Sequence, residues 1–190
     1  MASGGGRNRL RIIGGRWRGR RLAFPPRPAL RPTPDRVRET LFNWLMPVID
    51  GARCLDLFAG SGALGMEALS RGAAQVVFVE RDPACCTALR DNLALLDAEG
   101  GEVVQADVLS FLAGASQRQD IVFVDPPYHA GLLGPACERL AGSWVGAGSL
   151  IYMERAADET PPPLPAGWRV HREKRAGQVV YALLAVDGAA

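Results

Sequence analysis

The 190-residue sequence has no apolar run long enough to cross a membrane. Its apolar stretches, such as residues 75–79 and 149–153, have the length of strands, whereas a bilayer-spanning helix needs roughly 20 apolar residues. The amino terminus is rich in glycine and arginine and does not enter an apolar segment, so we predict no signal peptide. We therefore expect a cytoplasmic protein with no membrane partner.

Residues that bind metal ions are also scarce. The two histidines, His129 and His171, are far apart in sequence, and the cysteines lack the C-x-x-C spacing typical of a zinc site. Two of the cysteines are adjacent and cannot easily form a disulfide with each other. We predict no metal ion and four buried free thiols. The cysteines are Cys54, Cys85, Cys86 and Cys137.

Lysine is almost absent, because Lys174 is the only one, and the basic residues are unevenly distributed. Residues 1–38 contain eleven arginines and one acidic residue, a net charge of +10. Residues 39–190 contain eleven basic and nineteen acidic residues, a net charge of −8, which gives +2 for the chain. An arginine-rich proteome would explain the choice of arginine but not this clustering. Guanidinium groups pair with phosphates and stack on bases, so the clustering favours a nucleic acid as partner.

The length fits one domain with an appended arm. We predict a basic amino-terminal arm over residues 1–34 and a catalytic domain over residues 35–190. Within the arm, we expect residues 1–9 to be disordered, followed by a hairpin that turns at Gly14-Gly15. The prolines of residues 24–34 predict an extended linker.

Nucleic-acid contacts are predicted in the hairpin and in the helix that follows the linker. Thr33 is expected to cap this helix, with Pro34 as its first residue. The apolar spacing of the helix leaves Arg36 and Arg38 on or near its polar side. The predicted contact residues are Arg16, Trp17, Arg18, Arg20, Arg21, Arg36 and Arg38.

From residue 52 onward, strand-like and helix-like segments alternate, which is typical of a parallel sheet with helices on both faces. Because only a turn at Ala176-Gly177 lies between the last two strands, we expect them to form an antiparallel hairpin at the sheet edge. The predicted fold class is α/β and Rossmann-like, with a seven-stranded, mostly parallel sheet. We place strands near residues 53–58, 75–80, 102–106, 120–125, 148–154, 167–173 and 178–186, and helices near residues 62–71, 83–97, 108–114 and 131–142.

A glycine-rich loop follows the first strand of this sheet. Gly60, Gly62 and Gly65 satisfy the pattern G-x-G-x-x-G, which lets a backbone approach a ligand closely but is weak alone, since NAD enzymes share it. Asp56 separates the two possibilities, because a carboxylate at this point attracts an ammonium group and repels a pyrophosphate. S-adenosylmethionine carries an ammonium group, so we predict it as the cofactor.

Further cofactor contacts are predicted where neighbouring strands end. Glu80 can accept hydrogen bonds from ribose hydroxyls, and Asp107 can accept one from an adenine amino group. The alternatives are an ordinary strand-end charge and a helix cap. The full predicted set is Asp56, Phe58, Ala59, Gly60, Ser61, Gly62, Glu80, Arg81, Asp107 and Val108.

The most specific motif is Asp125-Pro126-Pro127-Tyr128, at the end of the fourth strand. The prolines fix the turn, so the Asp125 carboxylate and the Pro126 carbonyl can point into the cleft. An exocyclic amino group of a base is a poor nucleophile, and two acceptors for its hydrogens would aim its lone pair at a methyl group. Tyr128 is expected to stack on the base. The alternative is a strand-ending turn with a packed aromatic ring.

These motifs resemble those of the class I amino-methyltransferases, whose substrates include bases in DNA and RNA. Residues 11–22, 30–45 and 171–179 are more discriminating and closely resemble the RsmD family, with the resemblance extending from about residue 10 to residue 184. It implies S-adenosylmethionine-dependent methylation of N2 of guanine 966 (G966) in 16S rRNA. The expected partner is that RNA or the small ribosomal subunit, and we expect the protein to be a monomer.

By this resemblance Asp125, Pro126 and Tyr128 are catalytic, and the glycine loop, Glu80 and Asp107 contact the cofactor. The residues alone leave two alternatives: a DNA or RNA adenine-N6 methyltransferase, and a catalytically silent RNA-binding assembly factor. Comparing labelled methyl transfer to rRNA and to DNA would separate the enzymes.

Overall fold

The computed structural model describes residues 8–26 and 33–188. The predictions for residues 1–7 and for most of the proline-rich linker, residues 27–32, lie outside the described residues. The strands are β1 (Asn8–Arg11), β2 (Arg21–Phe24), β3 (Arg53–Asp56), β4 (Gln75–Glu80), β5 (Gly101–Gln105), β6 (Ile121–Val124), β7 (Leu150–Ala156), β8 (Trp168–Ala176) and β9 (Val179–Val186). The helices are α1 (Asp35–Leu45), α2 (Ala63–Ser70), α3 (Pro83–Leu95), α4 (Val108–Leu112) and α5 (Leu133–Ser143).

The main sheet has seven strands in the order β5-β4-β3-β6-β7-β9-β8. Strands β3 to β7 are parallel to one another, and β9 is antiparallel to both β7 and β8. The predicted fold class and the antiparallel edge hairpin are therefore confirmed. The chain builds outward from β3 to β5 and then returns to the other side of β3 with β6, which creates a topological switch point between β3 and β6.

Two apolar clusters cover the two faces of this sheet. One contains Phe78, Phe123 and Tyr152 with side chains from α1, α2 and α3, and the other contains side chains from α4 and α5. Strand β6 is buried at every position, as expected for a central strand with helices on both sides. All four cysteines are free and buried, which confirms that prediction.

Gly65 explains how α2 approaches the sheet. A Cβ atom at this position would lie 2.2 Å from Cε1 of Phe78 on β4. The third glycine of the fingerprint therefore provides close helix-to-strand packing, as that motif requires.

The hairpin of the arm differs from its predicted form. Strands β1 and β2 pair antiparallel, but residues 12–20 connect them and the chain does not turn tightly at Gly14-Gly15. Gly15 has φ +74° and lies against α2, where a Cβ atom would be 1.8 Å from the Ser70 carbonyl oxygen. Asn8 and Arg9, which we expected to be disordered, belong to β1.

The arm also contributes to the core of the domain. Ile12, Trp17 and Leu22 belong to the same buried cluster as Leu41 and Phe42 of α1. Trp17 is 9 % exposed and lies in this core, and its contact with RNA stays a prediction. The boundary at residue 34 stays a prediction.

The start of α1 corrects two predictions. The helix begins at Asp35 with Pro34 at the N-cap, and no side chain caps it, so Thr33 does not have the predicted capping role. Arg38 is 1 % exposed and does not lie on the polar side. Its guanidinium donates to Asp35 (2.5 Å) and approaches the buried Glu67 carboxylate (3.6 Å). Burial of Glu67 explains this position, since a buried charge requires a partner.

Among residues 8–26 and 33–188, no helix combines the length and hydrophobicity needed to span a bilayer. The same residues contain no group of three or more histidine, cysteine, aspartate or glutamate side chains arranged to hold a metal ion.

Candidate active site

A cavity of about 770 Å³ opens where β3, β4 and β6 end. Its volume falls within the usual range for small-molecule sites, and it lies at the switch point of the sheet, where such sites occur in open α/β folds. Every predicted catalytic residue and all but one of the predicted cofactor contacts line it. They are Asp56, Phe58, Ala59, Gly60, Ser61, Glu80, Arg81, Asp107, Val108, Asp125, Pro126, Pro127 and Tyr128.

Gly62 is the predicted cofactor contact that is not part of the lining. It is the N-cap of α2 with φ +79°, and a Cβ atom there would lie 2.6 Å from Cδ2 of Leu89. Gly62 therefore shapes the glycine loop without lining the cavity. Only glycine adopts this backbone conformation without strain, and a side chain would clash with Leu89.

Asp56 is 3 % exposed, and its Oδ2 accepts a hydrogen bond from the backbone N–H of Gly65 (3.0 Å). Burial raises the pKa of this carboxyl to about 7; the Gly65 hydrogen bond opposes the shift, and the nearby charge of Glu80 adds to it. A cation bound in the cavity would stabilise the ionised form.

Two more carboxylates shape the cofactor side of the cavity. Glu80 holds the glycine loop, because its two oxygens accept hydrogen bonds from the N–H groups of Gly60 and Asp82, both at 2.8 Å. Asp107 caps α4 by accepting from the N–H of Ser110 (3.0 Å), and this hydrogen bond lowers the pKa of its carboxyl. Asp107 is thus a helix cap, as the alternative interpretation predicted, and it also lines the cavity.

Asp125 lines the same cavity at the end of β6. Its Oδ2 accepts a hydrogen bond from the hydroxyl of Thr33 (3.3 Å), which brings the start of α1 onto the catalytic turn. Burial raises the pKa of Asp125 well above its ordinary value, and the charges of Glu154 and Asp56 raise it further. Sequence reasoning did not find the contact with Thr33, because the two residues are 92 positions apart.

Sequence reasoning also missed Glu154, on β7. It is 3 % exposed and lines the cavity, and its Oε1 accepts a hydrogen bond from the hydroxyl of Tyr128 (2.5 Å). Its Oε2 accepts from the buried Tyr152 hydroxyl (2.7 Å), and burial raises its pKa. The ring of Tyr128 remains 41 % exposed. The available signal was a carboxylate at the end of the apolar strand predicted over residues 148–154.

The predicted RNA contacts separate into exposed and buried side chains. Trp17 and Arg38 are buried. The guanidinium of Arg16 lies 4.0 Å from the centre of the Trp17 ring. The exposed members of the set are Arg16, Arg18, Arg20, Arg21 and Arg36.

Comparison with solved structures defines the class of the fold. The chain matches an Escherichia coli structure, provisionally described as a methyltransferase, with a TM-score of 0.89 and 50 % identity over 96 % of this chain and 100 % of the other. A Salinibacter ruber RNA methyltransferase in complex with S-adenosylhomocysteine has a TM-score of 0.65 and 17 % identity, over 84 % and 96 % of the two chains. The fold is that of the class I S-adenosylmethionine-dependent methyltransferases.

The family model described as conserved hypothetical protein 95 matches residues 10–185, and the chain belongs to this family. Ribosomal RNA small subunit methyltransferase D of Escherichia coli K12 is 53 % identical over 179 residues, which cover 94 % of this chain and 90 % of that protein. The Haemophilus influenzae protein of the same name is 45 % identical over 92 % of each chain. The resemblance to the RsmD family is confirmed, and the chain is a homologue of the small-subunit rRNA methyltransferases D.

Proposed function

We propose that this protein acts in the cytoplasm as a monomer that transfers a methyl group from S-adenosylmethionine to N2 of guanine 966 in 16S rRNA. The observation that carries the proposal is that the glycine loop and the Asp-Pro-Pro-Tyr turn line one cavity. One cavity can therefore hold the methyl donor and the target amino group next to each other. Holding both reactants in the right geometry accelerates methyl transfer, because the step becomes effectively unimolecular.

The residues of the cavity suit a cationic cofactor. Asp56, Glu80, Asp125 and Glu154 all line it, and the pKa values of Asp56, Asp125 and Glu154 are raised. Such crowding of carboxyl groups favours a ligand with a sulfonium and an ammonium group and disfavours a pyrophosphate. Asp56 would hold the ammonium group, Glu80 the ribose and Asp107 the adenine. When bound, S-adenosylmethionine supplies an electrophilic methyl group.

Asp125 would hold the target amine together with the Pro126 carbonyl, each accepting one hydrogen. The raised pKa of Asp125 also makes its carboxylate a stronger base than an ordinary aspartate, so an Oδ atom is suited to take the proton that the amine loses. The target base would swing out of the RNA stack and then stack on the ring of Tyr128. Glu154 would hold this ring in place through its hydrogen bond with the Tyr128 hydroxyl. The exposed arginines of the arm would bind RNA phosphates.

Labelled methyl transfer to unmodified small-subunit RNA, to small subunits and to DNA tests the proposal, with the product nucleotide mapped by mass spectrometry. We expect label at N2 of one guanine of 16S rRNA. Label on adenine or in DNA would replace the proposed reaction with adenine-N6 methylation. RNA binding without transfer to any substrate would indicate an assembly factor.

A further inference from the structure

Strand β8, at the edge of the sheet, is strongly basic although residues 39–190 have a net charge of −8. It carries four of the eleven basic residues in that part of the chain and one acidic residue, Glu173. The basic residues are Arg169, Arg172, Lys174 and Arg175, all of which are exposed. The proposed reaction assigns no role to this strand.

The four cations differ in their ion pairing. Arg169 pairs with Asp187 (2.9 Å) at the amino end of the strand. In the part of the chain that the structure describes, Arg172, Lys174 and Arg175 form no ion pair with a carboxylate. The Nε of Arg175 donates to the Gly177 carbonyl oxygen (2.9 Å), a contact that leaves the guanidinium charge uncompensated.

The unneutralised cations lie at the end of the sheet where the cavity opens. Strand β8 is antiparallel to β9, which is antiparallel to β7, so β8 runs in the same direction as β7. Lys174 pairs with Tyr181 of β9, and Tyr181 pairs with Glu154 of β7, which lines the cavity. Two interstrand steps place the Cα atoms of Lys174 and Glu154 about 10 Å apart.

Aromatic rings accompany the cations on the same face. The Lys174 ammonium lies 5.9 Å from the centre of the Trp44 ring, and this ring stacks on Tyr181 with centroids 5.6 Å apart. Arg172 shares this face with Lys174, because side chains two positions apart on a strand point the same way. Glu173 and Arg175 point to the other face. Trp44 is partly exposed, whereas Tyr181 is buried beneath it. A cation beside a partly exposed ring is a common composition of RNA-binding surfaces.

The arm packs on the α2 and α3 side of the sheet, toward the carboxyl-terminal ends of these helices. It contacts α2 through the Arg16 N–H, which donates to the Ser70 carbonyl oxygen (2.8 Å). It contacts α3 through the Asn92 amide, which donates to the Ala23 carbonyl oxygen (2.9 Å). Helices α2 and α3 contact β3, β4 and β5, at the far edge of the sheet from β8. The arm and β8 thus lie toward opposite edges of the sheet.

We propose that Arg172 and Lys174 on one face of β8, together with Arg175 on its other face, line the exposed edge of the sheet as a second phosphate-binding surface, which contacts the RNA backbone that flanks the target base. The inference rests on the proposed RNA substrate. Charged side chains on an edge strand also prevent pairing between sheets, but that role requires neither one sign of charge nor a position near the cavity. Among the described residues these cations form no ion pair, and the Cα atom of Lys174 lies about 10 Å from that of Glu154 in the cavity wall, so the groups suit the phosphates of neighbouring nucleotides.

The test compares two triple variants of the full chain. The first is Arg172→Gln, Lys174→Gln, Arg175→Gln. The control, Arg90→Gln, Arg118→Gln, Arg139→Gln, removes the same charge from exposed arginines of the body, which donate hydrogen bonds to the backbone carbonyls of Val103, Ala147 and Leu109. Affinity for a naked small-subunit RNA fragment is measured against salt concentration, with thermal unfolding and S-adenosylhomocysteine affinity as checks on folding.

Each phosphate contact contributes about 0.7 to 0.9 to the slope of log affinity against log salt. We expect the β8 triple variant to lower that slope by about 2 and to weaken binding at ~0.1 M salt about tenfold or more. We expect the control triple variant to match the wild type, and both variants to retain S-adenosylhomocysteine affinity.

An unchanged slope in the β8 variant, with an active wild type, would overturn this inference alone. A defect confined to assembled subunits, with normal binding to naked RNA, would also overturn it, because the surface would then contact a ribosomal protein. A wild type that neither binds nor methylates the RNA would instead contradict the proposed function.

Discussion

The cavity and the arm use charged side chains in opposite ways. Around the cavity, Asp56 and Glu154 are 3 % exposed, and burial raises the pKa of each. In the arm, Arg18 and Arg21 are exposed to solvent. Burial disfavours the ionised form of a carboxyl group, so the group either binds a proton or pairs with a cation bound beside it. A solvated guanidinium interacts with a polyanion over a broad surface. In the proposed function, the buried carboxyl groups carry out the chemistry and the exposed arginines attract the RNA.

One buried residue nevertheless joins the two regions. Glu67, on α2, accepts hydrogen bonds from the N–H groups of Ile13 (2.9 Å) and Gly14 (2.7 Å) in the arm. It also pairs with Arg71 (2.8 Å) and approaches Arg38 (3.6 Å). Because α2 directly follows the glycine loop, the arm is anchored to the helix that shapes the cofactor side of the cavity.

The largest expected effect concerns the buried acids. Asp125→Ala removes an acceptor for the target amine, so we expect kcat to fall about 10³-fold, in line with the loss of one preorganised polar contact. Affinity for S-adenosylhomocysteine should change little. The measurement is single-turnover methyl transfer, with the exposed Glu99→Ala as a control that should match the wild type. Normal turnover in Asp125→Ala would break the assignment of chemistry to the cavity.

The next largest effect concerns Glu67, which anchors the arm to α2, and the stability of the fold. Glu67→Ala would leave the Arg38 charge buried without this carboxylate and would remove the acceptor of two arm N–H groups. We expect a loss of about 3 kcal/mol in the free energy of unfolding, as for other broken buried pairs. Urea denaturation measures it, and Glu39→Ala, an exposed acid on α1, should lose less than ~0.5 kcal/mol. Equal stability of the two variants would show that the anchor is unimportant.

The third prediction concerns the effect of the arm's positive charge on RNA affinity. Deleting residues 1–22 would also remove Ile12, Trp17 and Leu22 from the core, so neutralisation is the better experiment. We expect a four-arginine variant to lose on the order of 10²-fold in RNA affinity at low salt and to flatten the salt slope by about 3. The substitutions are Arg16→Gln, Arg18→Gln, Arg20→Gln and Arg21→Gln.

Binding of labelled RNA over a salt series measures this effect, with the Arg90, Arg118 and Arg139 triple variant as the matched control. If the arm variant keeps the wild-type slope, the arm is not an RNA contact. The proposed role of the exposed arginines in RNA binding would then be wrong, whereas the role of the buried carboxyl groups would be unaffected.

Proton uptake by Asp56 produces a smaller effect on cofactor affinity. Its pKa of about 7 means that the carboxyl is mostly protonated, and neutral, below that pH. Affinity for S-adenosylhomocysteine, which keeps the ammonium group, should therefore fall up to about tenfold per pH unit below pH 7. Calorimetry between pH 5.5 and 8 tests this expectation. Asp56→Asn should bind weakly at every pH, and a strong remaining pH dependence would assign the titration to another carboxyl.

The same shift predicts how stability changes with pH in the ligand-free protein. The folded pKa of Asp56, about 7, exceeds its ordinary value of 3.8, so between these values the folded state binds more protons than the unfolded state. Stability should therefore fall as pH rises from about 4 to about 7, by about 1 kcal/mol per pH unit for this group. Asp56→Asn should reduce the slope by that amount in denaturation experiments. An unaltered slope would place the Asp56 pKa near its ordinary value.

Local patterns determined most of what could be predicted. The strand-length apolar runs and the glycine loop placed each element between residues 53 and 186 to within three positions. The order of motifs along a parallel sheet then brought Asp56 and Asp125 to one edge, since the carboxyl ends of parallel strands meet there.

Contacts between distant segments could not be predicted, because no local periodicity encodes them. Arg38 looked like a polar-face residue, yet the buried Glu67 draws it inward. Thr33 looked like a helix cap, yet its hydroxyl contacts Asp125. Glu154 is visible as a strand-end acid, but its hydrogen bond with Tyr128 depends on the pairing of β6 with β7. In each case tertiary packing overrides the local preference.

A crystal structure with S-adenosylhomocysteine would test the central claim most directly, because it locates the donor sulfur relative to the two walls of the cavity. We predict the sulfur between the glycine loop and Asp125, with the amino-acid ammonium group beside Asp56. A ligand bound outside this cavity, or one whose sulfur faces away from Asp125, would contradict the account.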